Sequence, residues 1–98
     1  MSDSRKAPYR PRYIYVWALR VGNKTTASTE AWSVYQEAAN SLLNALLAAL
    51  RTEQPRCNNS QRIAAAQMCL LERMDISMDI TCRGDGYTCG VRKILLND

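Results

Sequence analysis

An α+β domain is the fold class this sequence predicts: a small antiparallel sheet in the order β-α-α-β-β, with two helices packed on one of its faces. Three observations carry that reading. A β-branched and aromatic run fills residues 12–21, two helical apolar periodicities lie between residues 28 and 74, and the last quarter alternates apolar and polar residues about an Asp-Gly turn. With 98 residues and 47% hydrophobic content, the chain suits one core and no second one.

Before the first strand, Arg5, Lys6, Pro8, Arg10 and Pro11 stand in a stretch with no apolar period, so residues 1–11 are expected as a flexible basic arm and residues 12–98 as a single domain. From Arg12 to Val21 nearly every side chain is β-branched, aromatic or aliphatic, which predicts a strand buried on both faces or nearly so. Gly22-Asn23-Lys24 ends it with turn chemistry.

The spacing then predicts a helix capped by Ser28 or Thr29, with Glu30 in its first turn, running to about Arg51 before Pro55 stops it. Trp32, Tyr35, Ala39, Leu42, Leu43, Leu46, Leu47 and Leu50 share one broad face of it, opposite Glu30, Glu37, Asn40, Asn44 and Arg51. Because that arc is wider than the usual ~100° stripe, a homodimer is expected, with Leu43 and Leu47 at the margin of the arc forming the interface.

Asn58, Asn59 or Ser60 caps a second helix reaching about Met74, with Ile63, Ala66, Leu70, Leu71 and Met74 inward. Arg62, Cys69 and Arg73 fall in a narrow outer arc, and Arg62 with Arg73 forms a secondary basic stripe. In the tail, Ile76, Met78, Ile80 and Cys82 alternate with Ser77, Asp79, Thr81 and Arg83, Asp85-Gly86 makes the turn, and Tyr87 to Leu96 returns. That register sets Cys82 opposite Cys89 and Asp79 opposite Arg92.

Charge is unevenly placed. Of 13 basic and 9 acidic residues, six basic side chains (Arg5, Lys6, Arg10, Arg12, Arg20, Lys24) and one acid, Asp3, lie in the first 24 positions, so the net charge of +4 arises there. A polyanionic partner follows, nucleic acid first among them. Tyr9, Tyr13, Tyr15 and Trp17 are interleaved with those cations, a composition suited to stacking on unpaired bases, which tilts the expectation toward RNA over DNA. Trp17 and Trp32 are expected in the core or an interface, the sharper alternative being that one of them stacks on a base.

Other chemistries find little support. There is no histidine, no acid pair spaced for a metal, and no glycine-rich loop before a helix, so the sequence points to no catalytic residue, no metal site and no cofactor. Cys57, Cys69, Cys82 and Cys89 lack the paired knuckle spacing of a zinc site and are expected reduced, with Cys82 and Cys89 as small buried neighbours for which a disulfide is sterically open. The turn sequence Cys82-Arg83-Gly84-Asp85-Gly86-Tyr87-Thr88-Cys89 resembles, over those eight residues, the adhesive loops that present Arg-Gly-Asp to integrins, although turn chemistry alone accounts for it. The apolar run Tyr13 to Leu19 is about a third of a membrane span, so a soluble protein of the cytoplasm or nucleus is expected, with no membrane partner.

The functional expectation is therefore a small nucleic-acid-binding protein, mainly electrostatic and weakly sequence-specific, of a kind that would suit a viral accessory factor, and not an enzyme. The alternative is a protein-interaction module that docks its basic arm or its leucine-rich helix on an acidic regulatory or host protein.

Overall fold

The computed structural model describes residues 12–72 and 79–96, Arg12 by its backbone. Arg5, Lys6, Tyr9, Arg10 and Arg73 lie outside the described residues. The fold is α+β, as expected, with strands β1 (Arg12–Val21), β2 (Lys24–Ala27), β3 (Ile80–Gly84) and β4 (Tyr87–Leu96), and helices α1 (Tyr35–Glu53) and α2 (Asn59–Leu71) between β2 and β3. The sheet is antiparallel in the order β2-β1-β4-β3.

One strand more is present than the sequence suggests. Gly22, with φ at 60°, lets the chain fold back so that Lys24–Ala27 pairs with Ala18–Val21. Past β2 the chain stays on the same edge: Ser28 N–H donates to the Trp17 carbonyl at 2.8 Å, and Trp32 exchanges both backbone hydrogen bonds with Tyr15, at 2.7 and 3.0 Å. Residues 28–32 are thus taken by the edge of β1, whose N–H and C=O groups need partners more than Ser28 or Thr29 needs to cap a helix. Helix α1 accordingly begins at Tyr35, after Val34, which makes no side-chain cap. Glu30 and Trp32 are not helical.

Over the described residues the β3–β4 hairpin forms as the alternation predicts, while Ile76, Ser77 and Met78 lie outside them. Asp85-Gly86 makes the two-residue turn, with Gly86 at φ 81°, and Cys82 lies opposite Cys89. Arg92 Nε pairs with Asp79 Oδ2 at 3.5 Å, and the other oxygen of that carboxylate accepts the Lys93 backbone N–H at 3.1 Å.

Strand alternation divides β1 between two environments. Trp17, Leu19 and Val21 are buried beneath the helices, whereas Ala18 and Arg20 are exposed on the opposite face. The expectation that β1 is covered on both faces is therefore corrected: among the described residues, nothing packs on the second face of the sheet, the open face. Under the other, Leu42, Leu46, Leu50, Leu70, Val21 and Cys89 are almost fully excluded from water.

Helix α1 packs on β1, β4 and α2, and a helix that meets both a sheet and a second helix needs a wide apolar arc. Leu43 is 9% exposed inside a single chain and Leu47 is half-buried. The chain's own core thus covers Leu43, while Leu47 at the margin of the arc stays partly exposed. Tyr35 fastens the two helices: its hydroxyl donates at 2.6 Å to the Leu70 carbonyl, one of the acceptors left over at the end of α2.

Helix α2 is capped by Asn58, whose Oδ1 accepts the Gln61 N–H at 3.3 Å. Its rotation corrects the outer basic stripe. At ~100° per residue Arg62 and Cys69 lie within about 60° of Ala66, which is buried, so they border the apolar arc and turn toward the hairpin. The Arg62 side chain is 13% exposed, and its guanidinium donates to Gln54 Oε1 and, at 3.2 Å, to Asp85 Oδ2. Cys69 forms a disulfide with Cys82, Cα to Cα 6.3 Å, which overturns the expectation of four reduced cysteines. Cys57 and Cys89 are free thiols, the first exposed and the second buried.

Candidate nucleic-acid interface

On the open face of the sheet the register lines up side chains in rows across the strands. Ala27, Ala18, Gly90 and Thr81 make one row of small residues, one from each strand. The next row is Thr25, Arg20, Thr88 and Arg83, and on the other side of the small row stands Val16 beside Arg92. The small row is the floor of a trough of about 900 Å³, and Arg20, Arg83 and Arg92 line its two banks.

Packing explains the floor. A Cβ on Gly90 would stand 2.6 Å from the Ile80 backbone oxygen, so β3 and β4 approach too closely there for any side chain. The trough's shape thus has a cause inside the fold, and its chemistry comes from the arginines around it.

Arg20 and Arg83 flank Thr88 from the two neighbouring strands, two inter-strand spacings or roughly 10 Å apart. Both are exposed, and among the described residues neither forms an ion pair. Arg92 is exposed too, but Asp79 takes part of its charge. An uncovered sheet face with cations on both banks of a shallow concavity favours an elongated anion, because guanidinium groups present paired donors to phosphate or carboxylate oxygens.

The sequence-derived site residues do not all gather here. Arg20 does, and Arg12 occupies a β1 position of the same parity. Lys24 is on the helix side, where its Nζ meets Glu53 Oε2 at 3.1 Å. Tyr13, Tyr15 and Trp17 share the odd-numbered face with Leu19 and Val21. Trp17 is 8% exposed and its indole N–H donates to Ser41 Oγ at 3.1 Å, Tyr15 meets the Tyr35 ring edge-on with centroids 5.7 Å apart, and the Lys93 ammonium lies 4.0 Å above the Tyr13 ring. The arginine and aromatic residues that alternate along β1 are therefore sorted onto opposite sides of the sheet. Trp17 therefore presents little surface for a base to stack on in the folded chain.

Arg83 and Arg92 are the site residues that sequence reasoning missed. Their signal was present, since both fall on the polar side of the hairpin alternation, but only the pairing of β1 with β4 brings Arg20 beside them. Within the Arg-Gly-Asp triplet, Arg83 stands on the open face while Asp85 is held by Arg62 of α2, so the two charges serve different neighbours. Among the described residues, no helix is long and apolar enough to cross a membrane and no cluster of acidic, cysteine or histidine side chains is grouped to hold a metal. Comparisons with known protein families, curated proteins and solved structures find no match to this chain.

Proposed function

We propose that this protein binds nucleic acid through its phosphates, RNA in preference to DNA, using Arg20, Arg83 and Arg92 on the open face together with the cations Arg5, Lys6 and Arg10 that precede β1. The observation supporting this reading is the set of three exposed arginines on the banks of an uncovered trough. Recognition is mainly electrostatic, since β1 offers no base-stacking surface on that face, and the slight preference for RNA rests on the aromatic residues interleaved with the cations, of which Tyr13 is 38% exposed. The leucine-rich helix is not free to dock on another protein, because Leu42, Leu43, Leu46 and Leu50 are buried in the chain's own core. The compartment that goes with this reading is intracellular, cytoplasmic or nuclear.

The test is the salt dependence of binding to labelled single- and double-stranded RNA and DNA oligomers. Each phosphate neutralised contributes about 0.7 to 0.9 to the slope of log affinity against log salt. The variant Arg20→Gln/Arg83→Gln/Arg92→Gln is expected to lower that slope by about 2, Arg92 counting for less because of Asp79. Deletion of residues 1–10 is expected to weaken binding at least about tenfold, or ~1.4 kcal/mol. A triple variant with the slope and affinity of the wild type would remove the open face from the proposal. Equal performance by the deletion would remove the N-terminal cations as well, and a wild type that binds none of the oligomers at low salt would remove nucleic acid altogether.

A further inference from the structure

Three of the four cysteines converge on the junction of α2 with the hairpin. Cys82 on β3 is bonded to Cys69 on α2 and stands directly opposite Cys89 on β4. Cys82 and Cys89 are 3% and 2% exposed, side by side beneath the helices. Directly opposed residues of an antiparallel ladder hold their Cβ atoms ~4.5–5.5 Å apart, and a disulfide needs ~3.5–4.5 Å, so a small local adjustment joins them. Cys57 is exposed in the connection before α2, about 11 helical residues or ~16 Å along the axis from Cys69, and does not belong to this group.

We propose that Cys82 is the shared partner in an intramolecular thiol–disulfide exchange that passes its bond between Cys69 and Cys89. The Cys89 thiolate attacks Cys82 Sγ, the Cys82–Cys69 bond breaks, and its electron pair leaves on Cys69 Sγ, which takes up the proton Cys89 gave away. Nothing is oxidised or reduced overall, and no external oxidant enters. The two isomers differ mechanically. The first ties α2 covalently to the sheet, whereas the second confines the bond to the hairpin and leaves α2 held by the Arg62–Asp85 pair, the Tyr87 hydroxyl on the Arg62 carbonyl and the Tyr35 hydroxyl on the Leu70 carbonyl. Burial pushes the Cys89 thiol up to about 11, among Tyr35 and Tyr87, so the attacking form is scarce at neutral pH and the resting isomer persists until opening or a small thiol promotes exchange.

Trypsin resolves the isomers, because Arg56, Arg62, Arg73, Arg83 and Arg92 place each cysteine in a different peptide. The full chain is incubated without oxygen with a sub-stoichiometric amount of glutathione, quenched in acid, alkylated and mapped by mass spectrometry. The starting protein is expected to link peptide 63–73 to 74–83. Exchange then yields a second species linking 74–83 to 84–92, with Cys69 alkylated. Cys89→Ser is expected to abolish the second species, and Cys69→Ser to form the Cys82–Cys89 bond on mild oxidation. Persistence of the 63–73/74–83 link alone in the wild type after prolonged incubation overturns the proposal, as does bridging of Cys57 at a comparable level, which would signify scrambling in an unfolded chain.

Discussion

Replacing Tyr35 with phenylalanine removes one oxygen and strands one carbonyl. In the folded chain the Tyr35 hydroxyl is buried and donates at 2.6 Å to the Leu70 carbonyl in the last turn of α2, an acceptor with no other donor among the described residues. Loss of a buried hydrogen bond together with an unsatisfied acceptor costs about 1–3 kcal/mol, and the tightness of this contact places the expected value near 2 kcal/mol. For a domain of this size that is a fall in Tm of roughly 8–16 °C, or about 1 M in the urea midpoint. Urea denaturation followed by the fluorescence of Trp17 and Trp32 measures it, with Tyr13→Phe as control because Tyr13 is 38% exposed and its hydroxyl makes no hydrogen bond among the described residues. The same variant has a signature in alkali. Burial, reinforced by Cys89 and Tyr15, raises the Tyr35 phenol from 10.0 to about 12. The folded state therefore disfavours the phenolate, so this contribution to stability is complete below pH 10 and disappears as pH rises toward 12, for a total of roughly 3 kcal/mol. Tyr35→Phe should flatten that part of the alkaline limb, leaving what Tyr87 and Cys89 add, since both are also raised by burial. A Tyr35→Phe protein within ~0.5 kcal/mol of wild type at neutral pH, with an unchanged alkaline limb, would refute the bond as a tie between the helices.

Gly90→Ala should destabilise by about 1–3 kcal/mol in the same assay, because the new Cβ meets the Ile80 backbone oxygen at 2.6 Å and β3 must move away from β4; unaltered stability would mean the strands have room to spare. Leu43→Ala should cost about 2–5 kcal/mol at every protein concentration, as befits a leucine buried within one chain. A midpoint for Leu43→Ala that varies with concentration would instead place this leucine between two copies.

Those positions mark what sequence reasoning could and could not reach. The hairpin was legible down to its register, because Asp85-Gly86 fixes the turn and alternation fixes the faces, leaving Cys82 opposite Cys89 and Asp79 beside Arg92. The leucine face of α1 was legible for the same reason of period. The start of α1 was not: Ser28 has good capping chemistry, yet its hydroxyl accepts the Trp17 N–H at 3.1 Å and its backbone joins the edge of β1, a demand set by a strand eleven residues away. The Cys69–Cys82 bond was missed because an apolar arc read from five residues has soft margins, and a rotation of some tens of degrees decides whether Cys69 meets water or the sheet. Half of the candidate interface was legible as charge. Its other half required β1 and β4 to be neighbours, and no local pattern states which strands pair.

That pairing has a consequence for how the molecule is made. The two central strands are the first and the last of the described chain, joined along ten residue pairs from Val21 with Tyr87 to Arg12 with Leu96. The helices and both hairpins can begin locally, but the middle of the sheet waits until Leu96 has left the ribosome, and its closure spans between 66 and 84 positions of chain. Until then the odd-numbered side chains of β1 have no sheet to complete and must be shielded or tolerated in water. Conversely, Arg12 and Leu96 end as neighbours, so a short linker could rejoin them and new ends could be opened at the Asn23 turn, giving a permuted chain in which the central pair forms early.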